Sequence, residues 1–190
     1  MKKLLFVVLL VVGTHVAFSQ AQFAVGLKAG VNVSKLNGDD VESSSITAFH
    51  GGAFCLIKLT AIGIQPELLF SQQGTKLDDV SGDPQDLKMS YMTIPVMVKF
   101  YLPGGFNIQA GPQFGFLNSA ELEGTDVKEA FKGSDLSANL GVAWDAPFGI
   151  VLDARYNIGL SDIGDDPSFP EIKSGIFQFS VGYKIFKFGK

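Results

Sequence analysis

Beyond its first 20 residues the chain holds a single histidine, His50, and a single cysteine, Cys55. Hydrolysis by a nucleophile needs that group held against a base, and a zinc site needs three or four His, Cys or carboxylate ligands. One His and one Cys meet neither requirement, so His50 reads as a lumen or packing residue, and Cys55 has no second cysteine for an internal disulfide. The acidic string Asp162-Ile-Gly-Asp-Asp166 offers oxygen ligands to Ca²⁺ but lacks EF-hand spacing, and it reads as a solvated loop. Gly104-Gly105 belongs to a turn and not to a phosphate cradle. No catalytic residue, metal or other cofactor is therefore expected.

The residues with chemistry left in them are seven charges, Lys28, Glu67, Lys99, Asp135, Asp153, Arg155 and Lys184. Each sits on the polar phase of an alternating segment. If those segments are strands of one narrow barrel, all seven project into one lumen. Buried charges need partners, so a paired internal network is expected, for example Glu67 with Lys99 or with Arg155. Such a network fills and seals the barrel; the sharper alternative is a path for protons or small ions.

The segments that carry these charges have a period of two. Phe106, Ile108, Ala110, Pro112, Phe114 and Phe116 alternate with Asn107, Gln109, Gly111, Gln113 and Gly115. The same alternation marks 23–34, 61–73, 89–101, 135–144, 150–158 and 177–185. Residues 47–58 are strand-like, but His50 and Lys58 share a phase with Phe54 and Leu56, so their facing stays open. That makes eight strands. Short turns are expected near Lys58–Ala61, Leu102–Gly105 and Asp145–Gly149, and long segments near Lys35–Ile46, Gly74–Leu87, Asn118–Gly133 and Ser161–Lys173. The long segments hold fifteen of the 19 acidic residues. Alternation of long and short connections is the order of an outer-membrane barrel, whose turns are short on the periplasmic side.

Composition chooses the orientation. The polar phase is rich in Gly, Ser, Asn and Gln and poor in charge, whereas a water-facing surface carries many more Lys and Glu. The apolar phase is dense in Phe, Leu, Ile and Val, as contact with hydrocarbon requires. An open edge cannot sit in lipid, because unpaired backbone groups there are costly, so the first strand must pair with the last. The expected fold is an all-β, eight-stranded antiparallel up-and-down transmembrane barrel. A soluble lipocalin-like barrel, apolar side inward, is the alternative.

The first 19 residues read as a cleavable signal peptide, leaving residues 20–190 as the barrel domain. Lys2 and Lys3 precede the apolar Leu4–Val12, and Ala17-Phe18-Ser19 puts small residues at −3 and −1 of a cut before Gln20. Loss of Lys2 and Lys3 takes the formal net charge from −4 to −6. No basic stripe remains for nucleic acid.

Several strings resemble the PorT-like outer-membrane β-barrel family of Bacteroidetes: Gln65-Pro-Glu-Leu-Leu-Phe-Ser-Gln-Gln-Gly74, Tyr91-Met-Thr-Ile-Pro-Val96, Asp153-Ala-Arg-Tyr-Asn-Ile-Gly-Leu-Ser-Asp162 and Gly26-Leu-Lys-Ala-Gly-Val-Asn-Val-Ser34. The resemblance covers nearly all of the mature chain. It implies an eight-stranded barrel in the outer membrane and no particular activity. The founding member is associated with protein secretion. The expected role is thus structural, adhesive or secretion-accessory, with outer-membrane lipid and envelope or secretion-system proteins as partners. A narrow channel or transporter is the second reading.

Overall fold

A computed structural model describes residues 21–37, 43–78, 84–122, 124–130, 132–161 and 173–189. Eight long strands form the barrel: β1 (Gln22–Asn37), β2 (Ser43–Leu59), β3 (Ile62–Asp78), β4 (Pro84–Tyr101), β5 (Phe106–Leu122), β7 (Ser134–Asp145), β8 (Ile150–Gly159) and β9 (Lys173–Phe188). A two-residue strand, β6 (Thr125–Asp126), folds back on the end of β5. The leader and the acidic string 162–166 lie outside the described residues.

Every neighbouring pair is antiparallel, and β1 pairs with β9 from Phe23↔Phe188 to Asn37↔Lys173, so the sheet closes on itself. Closure leaves no row of unpaired backbone groups. The three short connections, the start of β1 and the end of β9 share one end, the turn end. The connections β1–β2, β3–β4, β5–β7 and β8–β9 share the other, the loop end. The β4–β5 turn is a 3-10 turn at Pro103–Gly105 in which Gly104 and Gly105 take φ of 82° and 84°, a region closed to most side chains.

The period of two became two faces. Phe106, Phe114, Leu140 and Phe179 are 57, 47, 62 and 52 % exposed, so the apolar phase looks outward. On the same strands Asn107, Gln113, Asn139 and Gln178 are buried inside. A soluble carrier would have reversed this. No helix among the described residues is long and apolar enough to cross a membrane; strands do the crossing.

Two features go beyond the sequence reading. The strands run 10 to 18 residues, so the expected long segments shrink: the β3–β4 connection spans only the residues between Asp78 and Pro84. Antiparallel pairing satisfies backbone groups in water as well as in lipid, and the ladder therefore continues past the apolar belt. The second feature is β2, where Ala48, His50, Phe54 and Leu56 all face inward. Phe54 fits because its wall lacks side chains: a Cβ on Gly26 would collide with the Phe54 ring, and one on Gly182 would lie 3.3 Å from it.

Candidate functional site

Among the described residues the lumen is where the chain gathers polar chemistry. β1, β3 and β8 carry Lys28, Glu67, Asp153 and Arg155 inward at the same level. Arg155 grips Glu67 with both terminal nitrogens, Nη1 to Oε2 at 3.1 Å and Nη2 to Oε1 at 3.0 Å. It also binds Asp153 through Nε (2.8 Å) and Nη2 (2.6 Å). Lys28 Nζ lies 3.3 Å from Glu67 and 3.5 Å from Asp153. In the closed order of strands, β3 and β8 are four steps apart by either route, half of the ring. The Arg155–Glu67 pair is therefore a bar across the full diameter, and a fork–fork pair is the strongest geometry such a bar can take.

A second centre sits nearer the turn end on Asp145. Its carboxylate accepts from Tyr101 Oη (2.9 Å), Lys184 Nζ (2.7 Å) and Asn107 Nδ2 (3.2 Å), and Lys99 Nζ lies 3.5 Å away. Of the two partners expected for Glu67, Arg155 is in contact, whereas the ion pair of Lys99 goes to Asp145. Asp135, ten positions up β7 from Asp145, is half-buried beside Gly115 and joins neither centre among the described residues. The structure thus gathers six of the seven expected charges into two centres.

Sequence reading assigned Asp145 to a turn. The signal was present, because Asp145 continues the inward phase of Asn139 and Ala143 by two more residues. Toward the loop end lies a layer of neutral groups. His50 Nδ1 meets Asn32 Oδ1 at 2.7 Å and its Nε2 meets Ser180 Oγ at 2.8 Å. Asn32 donates to Ser71 Oγ and to the Gln72 carbonyl, so its oxygen faces the ring. His50 accordingly donates from Nδ1 and accepts the Ser180 hydroxyl at Nε2. Serine, imidazole and amide in this order match a nucleophile, a base and its orienting group. All three are buried within the lumen, with a charged bar below them. Asn157, Ser137, Asn139 and Gln113 continue the layer around the wall.

Apolar clusters lie beyond both ends of this polar column. Met89, Tyr91, Leu117 and Ala120 pack at the loop end, and Ala24, Leu56 and Tyr101 at the turn end. These inward apolar residues were not foreseen, because alternation alone marks the inner phase as polar. Among the described residues no group of His, Cys, Asp and Glu could hold a metal ion.

Comparison with known proteins agrees with this architecture. A family model described as "Outer membrane protein beta-barrel domain" matches residues 18–165. Among solved structures, Neisserial surface protein A superposes with a TM-score of 0.58 at 16 % identity, covering 85 % of this chain and 97 % of its own. The attachment invasion locus protein Ail of Yersinia pestis gives 0.53 at 15 % identity, covering 88 % and 99 %. At such identities the likeness is one of fold. No curated protein matches the sequence.

Proposed function

The chain belongs to the outer membrane protein beta-barrel domain family and resides in the outer membrane, and from that premise we propose that it works as a sealed scaffold holding its loops outside the cell, and not as a pore. The Arg155–Glu67 bar carries this reading: a 3.0 Å contact joins opposite walls, and Lys28, Glu67, Asp153 and Arg155 at that level are all buried. A barrel of eight strands has just enough interior for side chains, and here those side chains are locked to each other.

The test is conductance of the purified, refolded protein in planar bilayers. A sealed barrel gives no stable open state. A reproducible unitary conductance would favour the channel reading.

The finer identity, a PorT-like barrel of Bacteroidetes, rests on the four strings quoted above. With it comes an adhesive or secretion-accessory role, exercised through the loop end, where Glu121 of β5, Asp126 of β6 and Glu129 are exposed. Deleting the gene and assaying secreted protein tests the accessory role; unchanged secretion removes it. Cleavage after Ser19 is checked by the N-terminal sequence of the mature protein.

A further inference from the structure

We propose that the turn-end half of the lumen is a closed hydration site, in which internal water joins Lys99 to the amide oxygens of Gln65, Asn107 and Gln109. The four residues are 0, 1, 2 and 2 % exposed. Lys99 Nζ, Gln65 Oε1, Asn107 Oδ1 and Gln109 Oε1 are buried polar atoms with no hydrogen-bond partner among the described residues. Buried polar atoms are rarely left so, because the desolvation cost is then unrepaid.

Register puts them together. Lys99 on β4 lies directly across from Gln109 on β5, and Asn107 is the next inward residue of β5. On the other side Lys99 pairs with Gly63 of β3, and Gln65 is the next inward residue of that strand. Cross-strand and diagonal neighbours on one face are within reach of long side chains.

The amide orientations are set by charge. Gln65 Nε2 donates to Glu67 (2.7 Å), Gln109 Nε2 to Asp153 (2.7 Å) and Asn107 Nδ2 to Asp145 (3.2 Å). Flipping any amide would set its oxygen against a carboxylate. Three acceptors are therefore left over, near an ammonium group that has three N–H donors. The chemistry of the guest follows. An anion suits the ammonium but not amide oxygens; a cation suits the oxygens but not the ammonium. Water accepts from one and donates to the others, and two to four polar partners are what a buried water needs.

The site would link the two ionic centres, since each amide ends on a carboxylate of one or the other. It lies between the Arg155–Glu67 bar and the Ala24–Leu56–Tyr101 cluster, so it hydrates the barrel without opening it. It is independent of the scaffold reading, which conductance tests.

A crystal structure of the wild-type protein at a resolution that shows water is the first test. Solvent peaks bridging Lys99 Nζ to at least two of the three amide oxygens, at about 2.7–3.2 Å, are expected. Direct ammonium–amide contacts with no solvent peak, or one peak with the scattering of a heavier ion, would overturn the proposal. In bilayers, solid-state NMR with lysine ¹⁵N label should show magnetisation transfer from water to Lys99 Nζ that Lys28 Nζ lacks. Lys99→Met, which removes that nitrogen, assigns the Lys99 signal; should this variant not fold, the wild-type density and spectrum still decide. Absence of transfer to Lys99 in the wild type refutes the site.

Discussion

Replacing Arg155 by Met tests whether the bar across the lumen supports the barrel. The substitution removes four hydrogen bonds, two to Glu67 at 3.0 and 3.1 Å and two to Asp153 at 2.6 and 2.8 Å. Glu67 and Asp153 then share one cation, Lys28, at 3.3 and 3.5 Å. Breaking a buried pair by deleting one partner costs about 3–5 kcal/mol, because the other charge stays buried and uncompensated, and this lowers the folding constant by a factor between about 10² and 10⁴. Adding Glu67→Leu restores balance, since Lys28 and Asp153 remain as a pair and the diameter is spanned by apolar side chains. Exchange of a whole buried pair for apolar residues is often neutral. The double variant should therefore recover most of the loss. Urea unfolding of the refolded barrel in micelles, read by the fluorescence of the sole tryptophan, Trp144, compares the wild type, the two single variants and the double variant. A loss under about 1 kcal/mol in the single variant, or a double variant worse than either single, refutes the reasoning.

Three further outcomes follow. Leu140→Arg puts a charge on the outward face at mid-strand and should cost about 2–4 kcal/mol in bilayers; a variant as stable as the wild type would mean that this face does not meet lipid. Gly26→Ala sets a methyl against both the Tyr183 carbonyl and the Phe54 ring, whereas at Gly182 the nearest atoms stand 3.2 and 3.3 Å away. Urea midpoints should show the Gly26 change to be the worse, by about 1–3 kcal/mol of overpacking. A fluorophosphonate probe should leave Ser180 unlabelled in the folded barrel, because the hydroxyl is buried beside His50; labelling that disappears in His50→Ala would show Ser180 to be a nucleophile activated by His50.

Legibility varied with range. The outward rows of β5, β7 and β9 were readable because a strand's side-chain period is two, and one face in lipid makes that period visible in composition. Residues 47–58 were not, because Phe54 and Leu56 point into the lumen with His50. What admits Phe54 is Gly26 on β1 and Gly182 on β9, while Leu56 packs over Gly63 of β3, and no window along β2 contains any of the three. Strand ends were misjudged for a related reason: polar, acidic stretches beyond the lipid look like loops, yet pairing continues through them.

By itself the amino-acid sequence determined the strand count, the closure of first strand on last, the membrane-facing rows and the polar rows that turn inward on strands other than β2. All of these depend on local periodicity and on the cost of unpaired backbone in hydrocarbon. Only the tertiary structure decided which inward charges meet. Partnering across a barrel depends on shear and register, which bring Arg155 of β8 to Glu67 of β3 across the diameter and send Lys99 to Asp145. Residues 88 positions apart in the chain share that contact, and nothing in their local sequence sets the register that joins them.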